Sequence, residues 1–147
     1  MDKDLNKIHA SMKNLFGLVH RLEDEAVKAS EFSDLSRAEI SAIMAIGTGR
    51  PKTMTHVANI LEINVSTLTT TINKLVKKGY VERLRDDKDR RIVKIGLSEK
   101  GIAAATERDS FMGELLRGAV EQVEPDKLRY FISAIDNINQ YFMAKSS

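Results

Sequence analysis

The sequence contains no cysteine, and this absence excludes disulfide bonds, zinc–thiolate sites and thiol-based redox sensing. Its two prolines and eight glycines are too few for an all-β or loop-rich fold, so a mostly helical chain is expected. No apolar run approaches the roughly 20 residues that a membrane-spanning helix needs. The N-terminus is charged where a secretory signal would be apolar. We therefore expect a cytoplasmic protein that does not partner with a membrane.

The length and charge of the chain fit a single globular domain with one basic region. The 147 residues suffice for a substantial core, and the chain is 42% hydrophobic and 30% charged. The net charge of +2 is unevenly distributed, because residues 64–100 contain ten Lys or Arg residues against five Asp or Glu residues. Taken alone, this stretch is equally well explained as a solvated surface. Its interpretation therefore depends on the elements that this stretch contains.

The most informative segment is a predicted β-hairpin. Tyr80–Leu84 and Arg91–Leu97 alternate apolar and polar residues, and they flank the charged turn Asp86–Asp89. Arg90 and Arg91 then leave the tip of the hairpin. A long basic side chain on a hairpin suits the strong negative potential of a DNA minor groove.

Start and stop signals predict three short helices before this hairpin. Ser36 and Glu39 have the spacing of a capping box, and Thr53 and Asn64 are good N-caps for the next two helices. Gly79 suits the end of the last helix. The polar residues expected on its outer face include no carboxylate, and their hydroxyl and amide groups suit base edges and phosphates. The plainer alternative is an ordinary exposed polar surface.

The first and last helices carry apolar stripes that need a partner along their whole length. The stripes repeat at steps of three and four residues, as in coiled coils. One interpretation is packing within a single subunit, but these helices exceed what a DNA-reading head of about half this size needs, so we favour an interface between subunits. The predicted dimer-interface residues are Leu5, Ile8, Met12, Leu128, Phe131, Ile135, Ile138 and Phe142.

Two motifs together resemble the MarR family of winged helix-turn-helix regulators. Asp89, Arg90 and Arg91 precede a strand and the sequence Leu97-Ser98-Glu99-Lys100-Gly101, which matches the family's wing pattern. Residues 61–83 follow its helix-turn-helix pattern. The resemblance implies a mostly α fold with a small β-hairpin wing and with N- and C-terminal dimerisation helices. It predicts one MarR-like domain over residues 1–147, with dimerisation segments 1–30 and 100–147 and a DNA-binding region 36–99.

The resemblance also implies roles for individual residues. Asp89 is expected to orient Arg91 for contact with the minor groove. The protein is expected to be a homodimer that binds a palindromic operator in double-stranded DNA, most simply as a repressor. The residues predicted to contact DNA are Asn64, Ser66, Thr67, Thr69, Thr70, Asn73, Lys74, Lys77, Lys88, Asp89, Arg90 and Arg91.

The chain departs from the family pattern at two positions. Glu62 stands in the helix turn where many relatives carry glycine, so we expect the backbone of this turn to differ slightly. Thr70 stands on the reading helix where many relatives carry arginine. Because arginine pairs with guanine through two hydrogen bonds, its absence favours A·T-rich sites.

A narrower resemblance concerns the effector. Phe32–Ser36, Thr67–Asn73 and Lys78–Arg83 are similar to the branch that represses fatty-acid biosynthesis genes in Gram-positive bacteria, which implies an acyl chain on acyl carrier protein as corepressor. The alternative is a regulator of drug or stress response genes released by a small aromatic ligand. Either effector would bind a pocket between helices, unless these residues are simply core. The predicted lining residues are Phe16, Val19, His20, Ile43, Met44, Phe111, Met112 and Leu115.

Two other classes of protein compete with this interpretation. An enzyme is not expected, because no nucleophile motif or phosphate-binding glycine loop occurs. His9 and His20 would lie about 16 Å apart on one helix at 1.5 Å per residue, so we expect no metal site and no cofactor. A protein-interaction module that does not bind DNA is the other competitor, and the basic region 64–100 argues against it.

Overall fold

A computed structural model describes residues 2–145 and confirms the mostly α fold with a small antiparallel sheet. Met1, Ser146 and Ser147 belong to the predicted domain but lie outside the described residues. Within residues 2–145, no helix combines the length and the apolar character needed to cross a bilayer. The elements are α1 (Asp2–Ala29), α2 (Arg37–Ile46), β1 (Lys52–Thr53), α3 (Met54–Ile60), α4 (Val65–Lys77), β2 (Val81–Arg85), β3 (Val93–Leu97), α5 (Glu99–Val120) and α6 (Pro125–Lys145).

The chain divides into two compact units, one extending to Glu107 and the other beginning at Arg108. The first unit holds the hydrophobic core, in which α2, α3, α4 and the sheet contribute the fully buried side chains. The predicted division into dimerisation segments 1–30 and 100–147 and a DNA-binding region 36–99 is a functional one, and it stays a prediction.

The helix starts are where the sequence placed them. In α2, Ser36 Oγ accepts from the Glu39 amide at 3.3 Å, and Glu39 Oε2 accepts from the Ser36 amide at 2.8 Å, so the capping box is complete. Thr53 caps α3 and Asn64 caps α4 in the same manner. Each cap satisfies amides that have no partner within the first helical turn.

The wing is part of a three-stranded sheet, whereas the sequence predicted a two-stranded hairpin. β2 and β3 pair antiparallel as expected, and β1 adds to the other edge of β3 with Lys52 opposite Ile95. β1 has only two residues, too few to show an alternating pattern. Lys52 also caps the C-terminal end of α2, because its Nζ donates to the carbonyl oxygens of Ala45 at 3.1 Å and Ile46 at 2.6 Å.

The helix turn keeps a left-handed backbone despite the absence of glycine. Glu62 has a φ of 54°, in the region that glycine adopts without a steric cost. Glu62 thus adopts a backbone conformation that favours glycine, and the expected slight difference from relatives stays a prediction. The cost is about 1 kcal/mol for a residue with a Cβ atom.

Two glycines fix the passage from α4 into the wing and α5. Gly79 has a φ of 83°, and its amide donates to Val76 while the Tyr80 amide donates to Leu75, which is a Schellman ending. Gly101, in the first turn of α5, approaches this ending so closely that an added Cβ would lie 2.1 Å from the Tyr80 carbonyl oxygen. No L side chain fits at that distance without a shift of the backbone.

We predict that Gly101→Ala lowers the free energy of unfolding by about 3 kcal/mol, because the overpacked contact is with backbone and cannot be relieved by a rotamer change. The matched control is Gly113→Ala on the same helix, where no atom lies within 4 Å of an added Cβ. This control should stabilise the protein by about 0.5–1 kcal/mol. Urea denaturation measures both, and equal effects of the two substitutions would contradict the proposed close approach.

Candidate nucleic-acid interface

Apart from the exposed Val65, the outer face of α4 is polar or basic, and it carries no carboxylate. Its core face consists of Leu68, Ile72 and Leu75, which are fully buried. Asn64 Oδ1 is used in the cap, where it accepts from the Thr67 amide at 2.7 Å. Among the predicted contact residues at the start of α4 and along it, Asn64 is engaged as the N-cap, and Thr69 is half-buried. The other predicted residues on α4 are exposed, namely Ser66, Thr67, Thr70, Asn73, Lys74 and Lys77.

The threonine hydroxyls of α4 turn back onto the helix. Thr69 Oγ1 donates to the Val65 carbonyl oxygen at 2.7 Å. Thr70 and Thr71 make the same contact with the carbonyl oxygens four residues earlier, each at the longer distance of 3.4 Å. Such bonds within a helix are typical of threonine. These bonds engage the hydroxyl protons in the single chain, and contact of these residues with DNA stays a prediction.

Asp86 organises the turn of the wing. Its Oδ1 accepts from the amides of Lys88 at 2.8 Å and Asp89 at 3.3 Å, and its Oδ2 forms an ion pair with Lys94 on β3. The hydrogen bond from Lys94, with those from the two amides, lowers the pKa of Asp86 to about 2. The carboxylate therefore stays charged at neutral pH and holds the loop to the strand.

Asp89 contacts Arg91 in the manner that the family resemblance implied. Asp89 Oδ1 accepts from the Arg91 backbone amide at 3.0 Å and from Arg91 Nε at 3.2 Å. The Arg91 side chain is nevertheless 92% exposed. Its guanidinium is thus directed by one bond while its remaining donors face solvent. Lys88 and Arg90 are exposed on the same loop.

Arg83 belongs to this surface although it was absent from the predicted contacts. It lies on β2, and its Nη2 donates to Asn73 Oδ1 of α4 at 2.5 Å. The signal in the sequence was the alternation along β2. It places Arg83 on the same face of the sheet as Val81, whose side chain is buried. Arg83 therefore adds a cation between the reading helix and the wing.

An ion pair between the half-buried Lys78 and the buried Glu39 connects the end of α4 to the start of α2. Lys78 Nζ donates to Glu39 Oε2 at 2.8 Å and to the Asp34 carbonyl oxygen, while Tyr80 Oη donates to Asp34 Oδ1 at 2.6 Å. Glu39 is only 3% exposed. Burial by itself would raise the pKa of Glu39, but the hydrogen bonds from Lys78 and Ser36 outweigh it, and the pKa is lowered.

The predicted effector-pocket residues divide into different environments. Ile43 is 1% exposed in the core of the first unit, with Met44 packed against it, so for Ile43 the structure supports the alternative of an ordinary core residue. Phe16 and His20 are exposed on α1, and Val19 is half-buried. Phe111, Met112 and Leu115 are half-buried on α5. A shared pocket remains a prediction.

The predicted dimer residues lie on apolar faces of α1 and α6. Neither helix contains a fully buried residue. Leu5 and Ile8 are exposed on α1, and Met12 is half-buried. On α6, Phe131, Ile135 and Phe142 are exposed, whereas Leu128 and Ile138 are half-buried. Each helix therefore presents a large apolar surface to solvent in the single chain.

We predict that Lys78→Met lowers the free energy of unfolding by about 3 kcal/mol at pH 7, because it leaves a buried carboxylate without its partner. The adjacent, exposed Lys77→Met is the control and should have little effect. A carboxyl with a lowered folded pKa stabilises above its ordinary value of 4.5 and loses this contribution as the pH falls below it. The difference between wild type and Lys78→Met should therefore shrink below pH 4.5, and a difference independent of pH would contradict the ion pair.

Comparisons with known proteins agree with this geometry. A MarR family model matches residues 33–92. The HTH-type transcriptional regulator YpoP of Bacillus subtilis is 37% identical over 68 residues, which is 46% of this chain. The HTH-type transcriptional regulator SarZ of Staphylococcus haemolyticus is 36% identical over 69 residues, which is 47% of this chain. The matched segments cover 48% of YpoP and 47% of SarZ, so the chain spans about half the length of these curated relatives.

A solved structure resembles nearly the whole chain. Streptococcus pneumoniae FabT in complex with DNA has a TM-score of 0.89 and 26% identity, covering 95% of this chain and 97% of FabT. The family match includes the capping box of α2, the reading helix and the wing turn as far as Ile92. Residues 33–92 of this chain match the MarR family model, whereas α1, β3, α5 and α6 lie outside the match.

Proposed function

We propose that the protein is a sequence-specific, DNA-binding transcriptional regulator that acts as a homodimer on a palindromic operator. The observation that carries this proposal is the pairing of a carboxylate-free reading helix with a wing on which Asp89 directs the exposed Arg91. FabT, which resembles this chain over 95% of its length, was solved with DNA. Selection of bound sites from a random DNA pool tests the proposal and yields the operator.

The local charge supports contact with phosphates. Residues 64–100 have a surplus of five positive charges, whereas the whole chain has a net charge of only +2. Each phosphate neutralised by Lys or Arg releases counterions, so binding should weaken steeply with salt. This salt dependence also separates the proposal from a protein-interaction module, which should not bind duplex DNA or heparin in this way.

An enzymatic role has no support in these comparisons. The relatives reported above are named as transcriptional regulators, and the family match covers the region that holds the reading helix and the wing. A regulator of this kind binds operator DNA in the cytoplasm, and we include that location in the proposal. The role of repressor is also part of the proposal, since a dimer seated on an operator excludes other proteins from the same DNA.

We predict that Arg91→Ala weakens operator binding by about 1–3 kcal/mol, and Arg90→Ala by less. Asp89→Ala should also weaken binding, although it removes a negative charge, because Arg91 loses the acceptor that directs it. The matched control is Asp87→Ala, which removes the same charge from the same loop. Fluorescence anisotropy with an operator duplex measures all four. Tighter binding by Asp89→Ala would show that charge balance, not orientation, governs the wing.

The exposed apolar faces of α1 and α6 support the homodimer. Side chains as large as Phe131 and Leu5 are more than half exposed in the single chain, and burying them against a second copy is favourable. A dimer with two-fold symmetry also places its reading helices in major grooves one helical turn, roughly 34 Å, apart. A palindromic operator follows from that symmetry.

We predict that Phe131→Glu raises the dissociation constant of the dimer by about a hundredfold, because two phenyl side chains are lost and two carboxylates would be buried. Phe131 is 54% exposed in the single chain, so the substitution should not unfold it. Gln140→Glu, on the opposite face of α6, is the control and should leave the dimer intact. Sedimentation velocity measures the outcome, and an unchanged dimer would exclude this face from the interface.

The effector that we propose is an acyl chain, free or carried by acyl carrier protein. The proposal rests on the resemblance of residues 32–36, 67–73 and 78–83 to the fatty-acid branch of the family. Flexible methionines such as Met44 and Met112 adapt to an alkyl chain. A small aromatic ligand is the second candidate, in a regulator of drug or stress response genes. Titration of operator affinity with acyl ligands of several lengths and with aromatic acids distinguishes the two candidates.

A further inference from the structure

The hydroxyl groups of three threonines on the reading helix are engaged with the backbone of the same helix. Thr69 has one hydroxyl proton, and that proton is used in the 2.7 Å bond to the Val65 carbonyl oxygen. Thr70 is turned the same way, with its weaker 3.4 Å bond to Ser66. The hydroxyl and the γ-methyl group occupy different staggered positions on Cβ, so the methyl groups take no part in these bonds.

The one amide on the outer face of α4 is also engaged. Asn73 reads adenine through two hydrogen bonds only when its oxygen faces the base. In the structure this oxygen faces Arg83 Nη2 at 2.5 Å. Asn73 is thereby bound to Arg83, whose guanidinium suits a phosphate. Its side-chain oxygen is then not available for a hydrogen bond with adenine.

The outer face of α4 also carries apolar groups at Val65, Thr69 and Thr70. Val65, the first residue of α4, is 41% exposed, and Thr69 lies one helical turn further on, where it accompanies Thr70. In the major groove the apolar group on a base edge is the C5-methyl group of thymine. A surface of valine and threonine methyl groups is complementary to that group and has nothing to offer guanine O6.

We infer that the face formed by Val65, Thr69 and Thr70 recognises thymine by contact with its methyl group. This inference rests on the proposed DNA binding and extends it, because it names the chemical group that is read. It also gives a physical reason for an A·T-rich operator that does not depend on the missing arginine alone.

The test uses the full-length protein and an operator recovered from a random DNA pool. Deoxyuridine replaces thymidine at one position of each half-site at a time, which removes the methyl group and keeps the base pair. Burial of one methyl group is worth about fourfold in affinity, so paired replacements at a contacted position should weaken binding about fifteenfold. Replacements outside the bound site are the control. If no position within the site responds, the inference is overturned while DNA binding stands.

Variants identify the methyl groups on the protein. The readout is the ratio of affinities for the thymidine and deoxyuridine duplexes, not the affinity itself. Thr69→Val keeps a methyl group and loses the hydroxyl, so it should retain the ratio. Thr69→Ser keeps the hydroxyl and loses the methyl group, so its ratio should fall toward one. Val65→Ala and Thr70→Ser are measured in the same way.

The outcomes separate the inference from the proposed function. A ratio lost in Thr69→Val but kept in Thr69→Ser would show that the hydroxyl reads the base, and it would overturn the inference. The same holds if the substitutions at Val65, Thr69 and Thr70 all leave the ratio unchanged. If the pool yields no duplex that binds, the proposed DNA binding itself has failed.

Discussion

The buried pair between Glu39 and Lys78 is the constraint on which the DNA-reading surface depends. Lys78 is the C-cap residue of α4, and Glu39 belongs to the capping box of α2, so this bond links the end of the reading helix to a second helix. A buried carboxylate is costly unless it is paired, so the contact with Lys78 favours the observed packing of the two helices. Gly101 then brings α5 against the carbonyl of Tyr80, so the wing leaves α4 in a fixed direction.

Local signals were enough to predict the helices and the wing. Caps at Ser36, Thr53 and Asn64 act through bonds to residues three positions away, and these are visible in the sequence. The contact between Asp89 and Arg91 is equally local, and it followed from the family resemblance. Such interactions are determined by short spacing, and no knowledge of the rest of the fold is needed to expect them.

Features that depend on distant residues or on rotamers could not be predicted in the same way. β1 exists because Lys52 meets Ile95, which is more than forty residues away in the sequence. The link between Arg83 and Asn73 needs the sheet and α4 to be placed first. The direction of the Thr69 hydroxyl is a rotamer choice, and the sequence shows only that a hydroxyl is present.

The same constraint limits how an effector could act. α4 and the wing are held to one core by a buried ion pair, a Schellman ending and a close glycine contact. A ligand that changed the direction in which the chain leaves α4 for β2 would act against the Schellman ending and the glycine contact. All three contacts lie within one chain, so a change in the spacing between two copies of the chain would break none of these contacts. In the proposed homodimer, an effector therefore regulates best by favouring one spacing between the two copies, since it can shift DNA affinity only by binding the two spacings unequally.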